Sequence, residues 1–539
     1  MAPSKVSAAP LNHEISACPK VAEAIAGAFE PCVWGDFFIS YTSPTLQESE
    51  EQMRDKADRL KGDVRRMFEA GNAMNMANML ILVDTLERLG IDNHFHDEID
   101  TTLRHIHSEE LEFDSYNDLH IVALRFRVLR QHGFWVSPDV FDKFKDDTGS
   151  FSPSLSSDPR SLLDMYNAAH MAIPGEQALD EAISFSKRHL ESMMRRNKLT
   201  SPMNDQVSRA LDIPLPRLPK RLETMHYIDE YEKEDGHNST ILELARLDFK
   251  LVRSLHLREL KELSLRGSKL CFVVQVVEGS LQECHKLNEA IQRLDYLSRQ
   301  NQINIYAHNR CILQWDERAV STLPEYMNPF YINLLKNFQG FQDTLEPDEK
   351  YRVSYATKAF QSSSKYYLDE AKWSSEKYAP SFDEHMEVSV MSSGFPTLAI
   401  VLLMGAGDLA TKEAFEWASK VPDVVIASGE VARFLNDIAA YKKGKNKKDV
   451  ASSVECYAKE HGMARDEAAV AIAEMAEHAW RRINRGCMEI DRTLLPAAQL
   501  VVNLTKTLEV IYLGGRDAYT FAGDLRGLVT SLFIKPVPI

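Results

Sequence analysis

Apolar residues recur every three or four positions along most of this chain, with charged residues between them. Residues 50–70 show this spacing, and so do residues 76–88, which are followed by a Leu-Gly pair typical of a helix stop. Residues 240–263 place Leu and Phe along one side of a long amphipathic helix. Alternation with a period of two is almost absent. The pattern therefore predicts an all-α protein.

A proline-rich stretch divides this helical pattern. Residues 211–222 read LDIPLPRLPKRL, and a helix interior does not tolerate prolines at this density. A chain of 539 residues is also too long for one ordinary core. The sequence therefore predicts two helical domains, residues 1–220 and residues 221–539. A Ser/Pro-rich loop is expected at residues 150–159, inside the first domain.

Composition narrows the classes of partner. The chain has 79 Asp+Glu against 63 Lys+Arg, and its net charge of −16 argues against nucleic acid or an anionic membrane as the main partner. The most apolar run, residues 398–406, is too short to span a bilayer and predicts a buried core helix. The seven cysteines lack zinc-site spacing. Because the N-terminal sequence has neither an apolar signal region nor a transit leader, we expect a cytoplasmic protein.

Short words at separated places in the sequence resemble those of one family of plant enzymes. They are PCVWGDFF (31–38), LERLGI (86–91), LRFRVLRQHG (124–133), LPEYM (323–327), DEAKW (369–373), SSGFP (392–396), VECY (454–457) and PVPI (536–539). Each word alone is weak, but their collinear order over nearly the whole chain is specific. The chain is identified as a member of the plant terpene synthase family, in the sesquiterpene synthase group.

The resemblance implies a fold and a chemistry. The implied fold is a relic helical α-barrel in the N-terminal domain and a class I terpenoid synthase α-bundle in the C-terminal domain. The implied reaction is the ionisation and cyclisation of a prenyl diphosphate, with Mg²⁺ as the metal and Mn²⁺ as the alternative. Because no plastid leader is seen, farnesyl diphosphate and a C15 terpene product are favoured over geranyl diphosphate. We expect a monomer.

The first metal motif of the family, D-D-x-x-D, is absent from its expected place. Carboxylates at positions i, i+1 and i+4 of a helix point into one cavity, where Mg²⁺ bridges them to phosphate oxygens. The positions that should carry this motif, residues 272–276, read FVVQV and hold no carboxylate. The stretch LQECHKLNEAIQR that follows at residues 281–293 resembles the family again.

The sequence around this position departs from the family as well. Only residues 265–280 separate the preceding helix from the LQECHKL word, so a family segment of several dozen residues, with an Arg pair for the diphosphate, is missing. Residues 294–314 then intervene before Trp315, where the family continues directly. A loss beside an insertion predicts a skipped exon and a retained intron. We therefore interpret residues 265–314 as aberrant.

The second metal motif of the family, (N/D)-D-x-x-(S/T)-x-x-x-E, is present in part. By resemblance, Arg433 contacts the diphosphate, while Asn436 and Asp437 belong to the metal site, Asp437 as a supporting carboxylate. Ala440 stands where the family has a hydroxyl and Gly444 where it has a glutamate, and neither side chain can ligate Mg²⁺. The motif predicts a weakened metal site, and the alternative is an ordinary surface helix end.

Lysines follow this motif, since residues 442–448 read KKGKNKK. A solvated loop is the favoured interpretation. The alternative is that lysines partly replace Mg²⁺ as the counter-charge of the diphosphate, because an ammonium is a compact point charge. Such a replacement would not restore the bridging geometry of a metal ion.

The C-terminal word YLGGRDAY matches the family loop that closes and lines the cavity. By resemblance, Tyr512, Asp517 and Tyr519 take part in catalysis. An aromatic face stabilises a carbocation by about 1–2 kcal/mol when desolvated, and the alternative for an isolated Tyr is packing. By resemblance, residues 392–394 form a helix break opposite this loop.

Three functions remain open at this point. The first is an active, Mg²⁺-dependent sesquiterpene synthase, and the second is an inactive homologue or a defective gene model. The third is a non-catalytic helical protein that binds prenyl diphosphates or protein partners. A nucleophilic hydrolase is set aside because no G-x-S-x-G occurs. Loss of the Mg²⁺ cluster removes the electrophilic pull on the leaving group, so we expect little or no cyclase activity.

Overall fold

The structure is a computed structural model. It describes residues 34, 36–41, 49–69, 75–109, 116–265, 315–323, 328–444 and 452–535. Over these ranges the chain forms α-helices and short 3₁₀ turns and contains no β-strand, which confirms the predicted all-α fold. Most of the aberrant segment, residues 266–314, lies outside the described residues, and so does the motif position at residues 272–276.

Ten of the described α-helices precede residue 266. They are α1 (Phe37–Ser40), α2 (Glu50–Glu69), α3 (Met76–Arg88), α4 (His96–Ser108), α5 (Leu119–Gln131), α6 (Pro159–Ala169), α7 (Gln177–Arg195), α8 (Met203–Asp212), α9 (Lys220–Tyr231) and α10 (Ser239–Leu265). The predicted loop at residues 150–159 contains a 3₁₀ turn, Pro153–Ser157. The proline-rich stretch contains a second, Leu215–Arg217, between α8 and α9.

Ten more described helices follow residue 314. They are α11 (Asn328–Thr344), α12 (Tyr351–Glu376), α13 (Phe382–Ser392), α14 (Phe395–Met404), α15 (Lys412–Ser419), α16 (Asp423–Lys442), α17 (Ser453–His461), α18 (Arg465–Glu489), α19 (Leu495–Ile511) and α20 (Arg526–Phe533). Short 3₁₀ turns at Leu513–Gly515 and Ala522–Leu525 lie between α19 and α20.

Local sequence signals account for the ends of α3. The side chain of Asn75 caps its start by accepting a hydrogen bond from the Asn78 amide at 2.9 Å. After its last residue, Arg88, the chain turns at Gly90, whose φ of 70° lies in the left-handed region that favours glycine. The helix therefore spans the predicted residues 76–88.

A break separates α13 from α14. Gly394, at a φ of 89°, stands between the two helices, and Pro396 occupies the first turn of α14. Together, Phe382–Met404 form a 23-residue stretch that is long and apolar enough to cross a membrane, by length and composition alone. Because 67% of its most apolar window is buried inside the fold, it is accounted for as core. The predicted helix break at residues 392–394 is thus confirmed.

The largest apolar core contains side chains from both ends of the described chain. It runs from Phe38 through the N-terminal helices to Leu260 and also includes Ile511 and Phe533. The rings of Phe38 and Phe533 meet edge to face with centroids 6.5 Å apart. Nearby, Arg253 donates a hydrogen bond to the carbonyl of Lys535 at 2.5 Å. The last described helix therefore completes a core that the first residues begin.

Polar contacts also join the two halves of the chain. Arg217 donates two hydrogen bonds to the carboxylate of Glu477, at 2.7 and 2.6 Å, and its own side chain is almost fully buried. The amide of Asn484 donates to the carbonyls of His170 and Ala172 at 3.0 and 2.9 Å. These contacts fix α18 against the end of α6. The domain boundary at residue 220 stays a prediction.

The LRFRVLRQHG word lies mainly on α5, and its arginines point inward. Arg130 is 0% exposed, and it donates two hydrogen bonds to Glu176, at 2.7 and 2.6 Å. It also donates to the carbonyls of Val136 and Met171. Arg127 donates one hydrogen bond to the carboxylate of Asp84. The arginines of this motif are therefore part of the buried core and not of a charged surface.

The close approach of α16 and α18 depends on Gly486. A Cβ at this position would lie 2.3 Å from Cγ2 of Val424, a buried side chain on α16. We expect Gly486→Ala to lower the free energy of unfolding by about 1–2 kcal/mol, because overpacking outweighs the better helix propensity of Ala. Denaturant unfolding followed by circular dichroism measures this change.

Gly340 provides the matched control for this prediction. It lies inside α11, and a Cβ there would meet no described atom within 4 Å. Gly340→Ala should therefore raise stability by about 0.5–1 kcal/mol. Equal changes in the two variants would contradict a steric role for Gly486.

Candidate functional site

Helix α16 carries the residues of the second metal motif. Arg433, Asn436, Asp437 and Ala440 all lie on this helix, which packs against α18 and α19. Residues four apart on a helix are about 40° apart around its axis, so Asn436 and Ala440 share one face. The motif therefore has the expected helical setting for its first two ligand positions.

The side chain of Asn436 is held by Tyr512. Its Nδ2 donates a hydrogen bond to the Tyr512 hydroxyl at 3.0 Å, which leaves Oδ1 as the atom able to face a metal ion. Burial, reinforced by the negative charge of Asp517, raises the pKa of Tyr512 well above its usual range. The phenol is therefore neutral at physiological pH. The structure thus brings together two residues that lie 76 positions apart.

Asp437 is a buried structural carboxylate. It is 4% exposed, and its Oδ2 accepts a hydrogen bond from the Ser453 amide at 2.8 Å. Nitrogens of His385 and Arg433 each lie 3.7 Å from its carboxylate oxygens. Burial would raise the pKa of Asp437, but the charge of Arg433 and the contacts with His385 and Ser453 lower it to about 2. Both oxygens are thus engaged within the protein.

The charge of Arg433 is paired with a carboxylate on its own helix, that of Asp437. Its guanidinium and the carboxylate of Asp437 form an ion pair one helical turn apart, and the Arg433 side chain is about one-fifth exposed. Its positive charge is therefore partly balanced inside the fold. Its predicted contact with a diphosphate stays a prediction.

The third ligand position of the motif lies beyond the helix. α16 ends at Lys442, and Gly444 adopts a φ of 67°, with its amide donating to the Tyr441 carbonyl at 2.9 Å. This is a typical helix termination by glycine. The substitution at position 444 therefore changes the backbone as well as the side chain. A sequence pattern that places three ligands on one helix face does not apply to this chain.

The C-terminal loop residues occupy different environments. Asp517 is 3% exposed, and its Oδ1 accepts a hydrogen bond from the Thr520 amide at 2.9 Å. Tyr519 is 37% exposed, so its ring lies at the surface. Tyr512 contacts the motif helix, because its hydroxyl accepts a hydrogen bond from the side chain of Asn436. The catalytic roles of all three stay predictions.

The available oxygen donors do not form a complete Mg²⁺ site. Ala440 and Gly444 supply no ligand, Asp437 is engaged elsewhere, and Asn436 offers one amide oxygen. Over the ranges that the structure describes, no group of three or more His, Cys, Asp or Glu side chains could hold a metal ion. Mg²⁺ requires several oxygens in near-octahedral geometry. The described part of the motif therefore does not fit a tightly held ion.

Contacts between the end of α16 and the C-terminal loop were not foreseen from the sequence. Nζ of Lys443 lies 3.5 Å from the centre of the Phe521 ring. The side chain of Lys442 packs against the backbone of Gly515. A Cβ added at Gly515 would lie 2.5 Å from Lys442 Nζ. The lysine run at residues 442–448 and the C-terminal loop are far apart in the sequence, so their contact depends on the tertiary fold.

Comparison with known proteins matches both halves of the chain to one family. Residues 33–211 match the terpene synthase N-terminal domain, and residues 276–482 match the terpene synthase family metal binding domain. Eudesmanediol synthase from Zea mays is 50% identical, over 94% of this chain and 96% of the relative. Alpha-copaene synthase from Zea mays is 42% identical, over 94% and 99% of the two chains. Use of a divalent metal is thus a property of the matched family.

The alignment with the eudesmanediol synthase covers 555 positions, more than the 539 residues of this chain. The relative therefore contains residues that this chain lacks, in agreement with a missing segment.

Solved structures agree with the sequence comparison. Isoprene synthase from grey poplar leaves superposes with a TM-score of 0.81 at 28% identity, over 94% of this chain and 98% of its own. Limonene synthase superposes with a TM-score of 0.81 at 24% identity, over 95% and 99%, and supports the fold alone. The resemblance seen in the sequence words is thereby confirmed, and the two-domain helical fold with it. The chain belongs to the terpene synthase family.

Proposed function

We propose that this protein is a sesquiterpene-synthase-like protein that binds farnesyl diphosphate and has lost most of its capacity for Mg²⁺-dependent ionisation and cyclisation. The observation that carries the proposal is the incomplete metal motif on α16. Its helix ends before the third ligand position, and its second ligand position is an alanine. We also propose a cytoplasmic monomer.

The ligand part of the proposal rests on the relatives. The maize relatives are a eudesmanediol synthase and an alpha-copaene synthase, both plant sesquiterpene synthases. The grey poplar isoprene synthase, 27% identical with a TM-score of 0.80, has been solved with three Mg²⁺ ions and dimethylallyl-S-thiolodiphosphate. A prenyl diphosphate is therefore the class of ligand that this fold is built to hold.

The loss of activity follows from the chemistry of the leaving group. A departing diphosphate is multiply charged, and metal ions stabilise that charge by several kcal/mol as Lewis acids. In this chain the described motif offers the amide oxygen of Asn436 and no carboxylate free to replace the missing ligands. The allylic C–O bond would thus break without most of its electrophilic assistance.

Incubation of the purified full chain with farnesyl diphosphate and Mg²⁺ tests the proposal. We expect terpene formation at least about 100-fold below that of the maize eudesmanediol synthase assayed in parallel, because each 1.4 kcal/mol of lost stabilisation costs about tenfold in rate. Gas chromatography of the extract measures the product, and a repeat with Mn²⁺ shows whether the metal identity matters.

Two outcomes of these measurements would contradict the proposal. Terpene output within about tenfold of the relative would overturn the predicted impairment. If no terpene forms, calorimetric titration with farnesyl diphosphate tests the ligand directly. A folded chain that takes up no farnesyl diphosphate, with or without Mg²⁺, would overturn the binding part.

A further inference from the structure

We propose that a cavity among the N-terminal helices binds a small oxyanion of the phosphate class through Arg160 on α6 and Gln206 on α8. Both residues line this half-open cavity, which α3, α5, α6, α8 and α9 enclose. The inference goes beyond the proposed function, because it concerns the N-terminal half of the chain and a ligand without a prenyl group.

The size of the cavity limits the ligand. Its free volume of about 30 Å³ is room for about two or three waters. A prenyl chain does not fit into this volume, whereas a small oxyanion does. Part of the wall is apolar, with Leu163, Ala210 and Ile213 beside the polar groups. Because apolar surroundings lower the local dielectric constant, a polar contact made in this cavity is stronger than the same contact in water.

Positive side chains outnumber negative ones along the wall of the cavity. The charged residues that line it are four arginines and two carboxylates, namely Arg88, Arg127, Arg160, Arg209, Asp164 and Glu223. Arg88 donates a hydrogen bond to Glu223 at 2.8 Å, and Nδ1 of His120 lies 2.5 Å from Oδ2 of Asp164. Burial would lower the pKa of His120, but the hydrogen bond and charge of Asp164 raise it, which favours a positive ring. Both lining carboxylates thus already have a cationic partner.

The guanidinium of Arg160 keeps its hydrogen-bond donors available. The other three lining arginines each donate to a carboxylate of a neighbouring helix. Arg160 instead lies 3.8 Å from an oxygen of Glu234, and within the described part of the chain its guanidinium makes no hydrogen bond. A guanidinium presents its N–H donors in a fork that matches an oxyanion. Arg160, about two-fifths exposed, is therefore the cation that an entering anion meets.

Two buried amide side chains with unused donors line the same cavity. Gln206 is 6% exposed, and no described residue forms a hydrogen bond with its side chain. Asn167 is 4% exposed, and its Oδ1 accepts a hydrogen bond from the Leu215 amide at 3.0 Å, which leaves its Nδ2 without an acceptor among the described residues. A buried amide without a partner is costly, so native proteins usually provide one. A bound oxyanion supplies acceptor oxygens for these donors.

Isothermal titration calorimetry of the full chain with inorganic phosphate tests the inference, with EDTA in the buffer to exclude binding through a metal ion. We expect one phosphate per chain. Arg160→Gln should weaken phosphate binding at least about tenfold, because a hydrogen bond to a charged group contributes that much. Gln206→Leu, a change of similar side-chain volume, should weaken it about fivefold. Circular dichroism verifies that each variant folds.

Thermal unfolding separates a binding role of Gln206 from a structural one. Without phosphate, Gln206→Leu should not lower the midpoint of thermal unfolding, because an apolar side chain replaces an amide without a partner. Saturating phosphate should raise the midpoint of the unaltered chain more than that of this variant. Equal shifts in the two proteins would overturn the role of Gln206.

Arg195→Gln is the matched control, since it removes the same charge from an exposed position on α7. It should change phosphate affinity by less than about twofold. Equal weakening by Arg195→Gln and Arg160→Gln would overturn the inference. Phosphate binding that both cavity variants leave unchanged would place the anion elsewhere and overturn it as well. Absence of phosphate binding to the unaltered chain, the result expected if water alone occupies the cavity, would also overturn it.

Discussion

Arg130→Ala should lower the free energy of unfolding by about 3–5 kcal/mol, because it leaves a charged partner buried without its counter-ion. Arg130 is fully buried and donates to Glu176 through two nitrogens, at 2.7 and 2.6 Å. The carbonyls of Val136 and Met171 would also lose a donor. Urea unfolding followed by far-ultraviolet circular dichroism measures the change.

Two further variants sharpen this expectation. Arg130→Lys keeps the charge but cannot reproduce the forked geometry, so it should recover only part of the stability. Arg195→Ala is the control, since its side chain is 71% exposed and lies 3.9 Å from Glu191. That change should stay within about 0.5 kcal/mol. If Arg195→Ala and Arg130→Ala lowered the free energy of unfolding equally, burial of the arginine would not determine the loss of stability.

Repair of the metal site should raise terpene formation by about 10²–10³-fold, as expected for several kcal/mol of regained metal assistance. The repaired chain replaces residues 265–280 with a segment that carries D-D-x-x-D and removes residues 294–314. It also carries Ala440→Ser and Gly444→Glu. Gas chromatography of the products formed from farnesyl diphosphate and Mg²⁺ measures the gain.

Partial repairs identify which change matters. Ala440→Ser with Gly444→Glu alone should restore little, because the first acidic motif is still missing. Position 444 adopts a φ of 67°, so a glutamate there is strained unless α16 extends by another turn. Replacement of residues 265–314 without changes on α16 should give an intermediate rate. Full activity from the α16 changes alone would contradict the importance assigned to residues 272–276.

Helices were the part of the fold that the sequence could predict. The 3.6-residue period and the Leu-Gly pair after residue 88 are local signals, and they predicted the helix that the structure shows as α3, Met76–Arg88. The family resemblance marked the break at residues 392–394, between α13 and α14. A helical period and a glycine stop depend on neighbouring residues only, so tertiary contacts did not override them.

The partners of charged side chains could not be predicted in the same way. Residue type favours a surface position for Arg130, whereas the structure buries it against Glu176. The pairing arises because the turn after α6 brings a carboxylate to α5, a contact across 46 residues of sequence. Long-range geometry of this kind leaves no periodic trace in a single sequence.

The candidate site was predicted from its resemblance to family motifs, and the structure adds the backbone geometry. The motif words located Asn436 and Asp437 and showed that Ala440 and Gly444 lack ligand atoms. The hydrogen bond from Asn436 to Tyr512 and the engagement of Asp437 by the Ser453 amide required the fold. The end of α16 at Lys442 has a local glycine signal at Gly444, as α3 has at Gly90, but the motif pattern placed residue 444 on the same helix face.

The shared apolar core has a consequence for how the chain is made. Phe38 emerges from the ribosome long before its core partner Phe533 on α20, because nearly the whole described chain lies between them. The N-terminal helices therefore keep part of their apolar surface uncovered until α20 has been made, which exposes them to aggregation. A premature stop codon just before α20 would thus damage the first domain as well as the second.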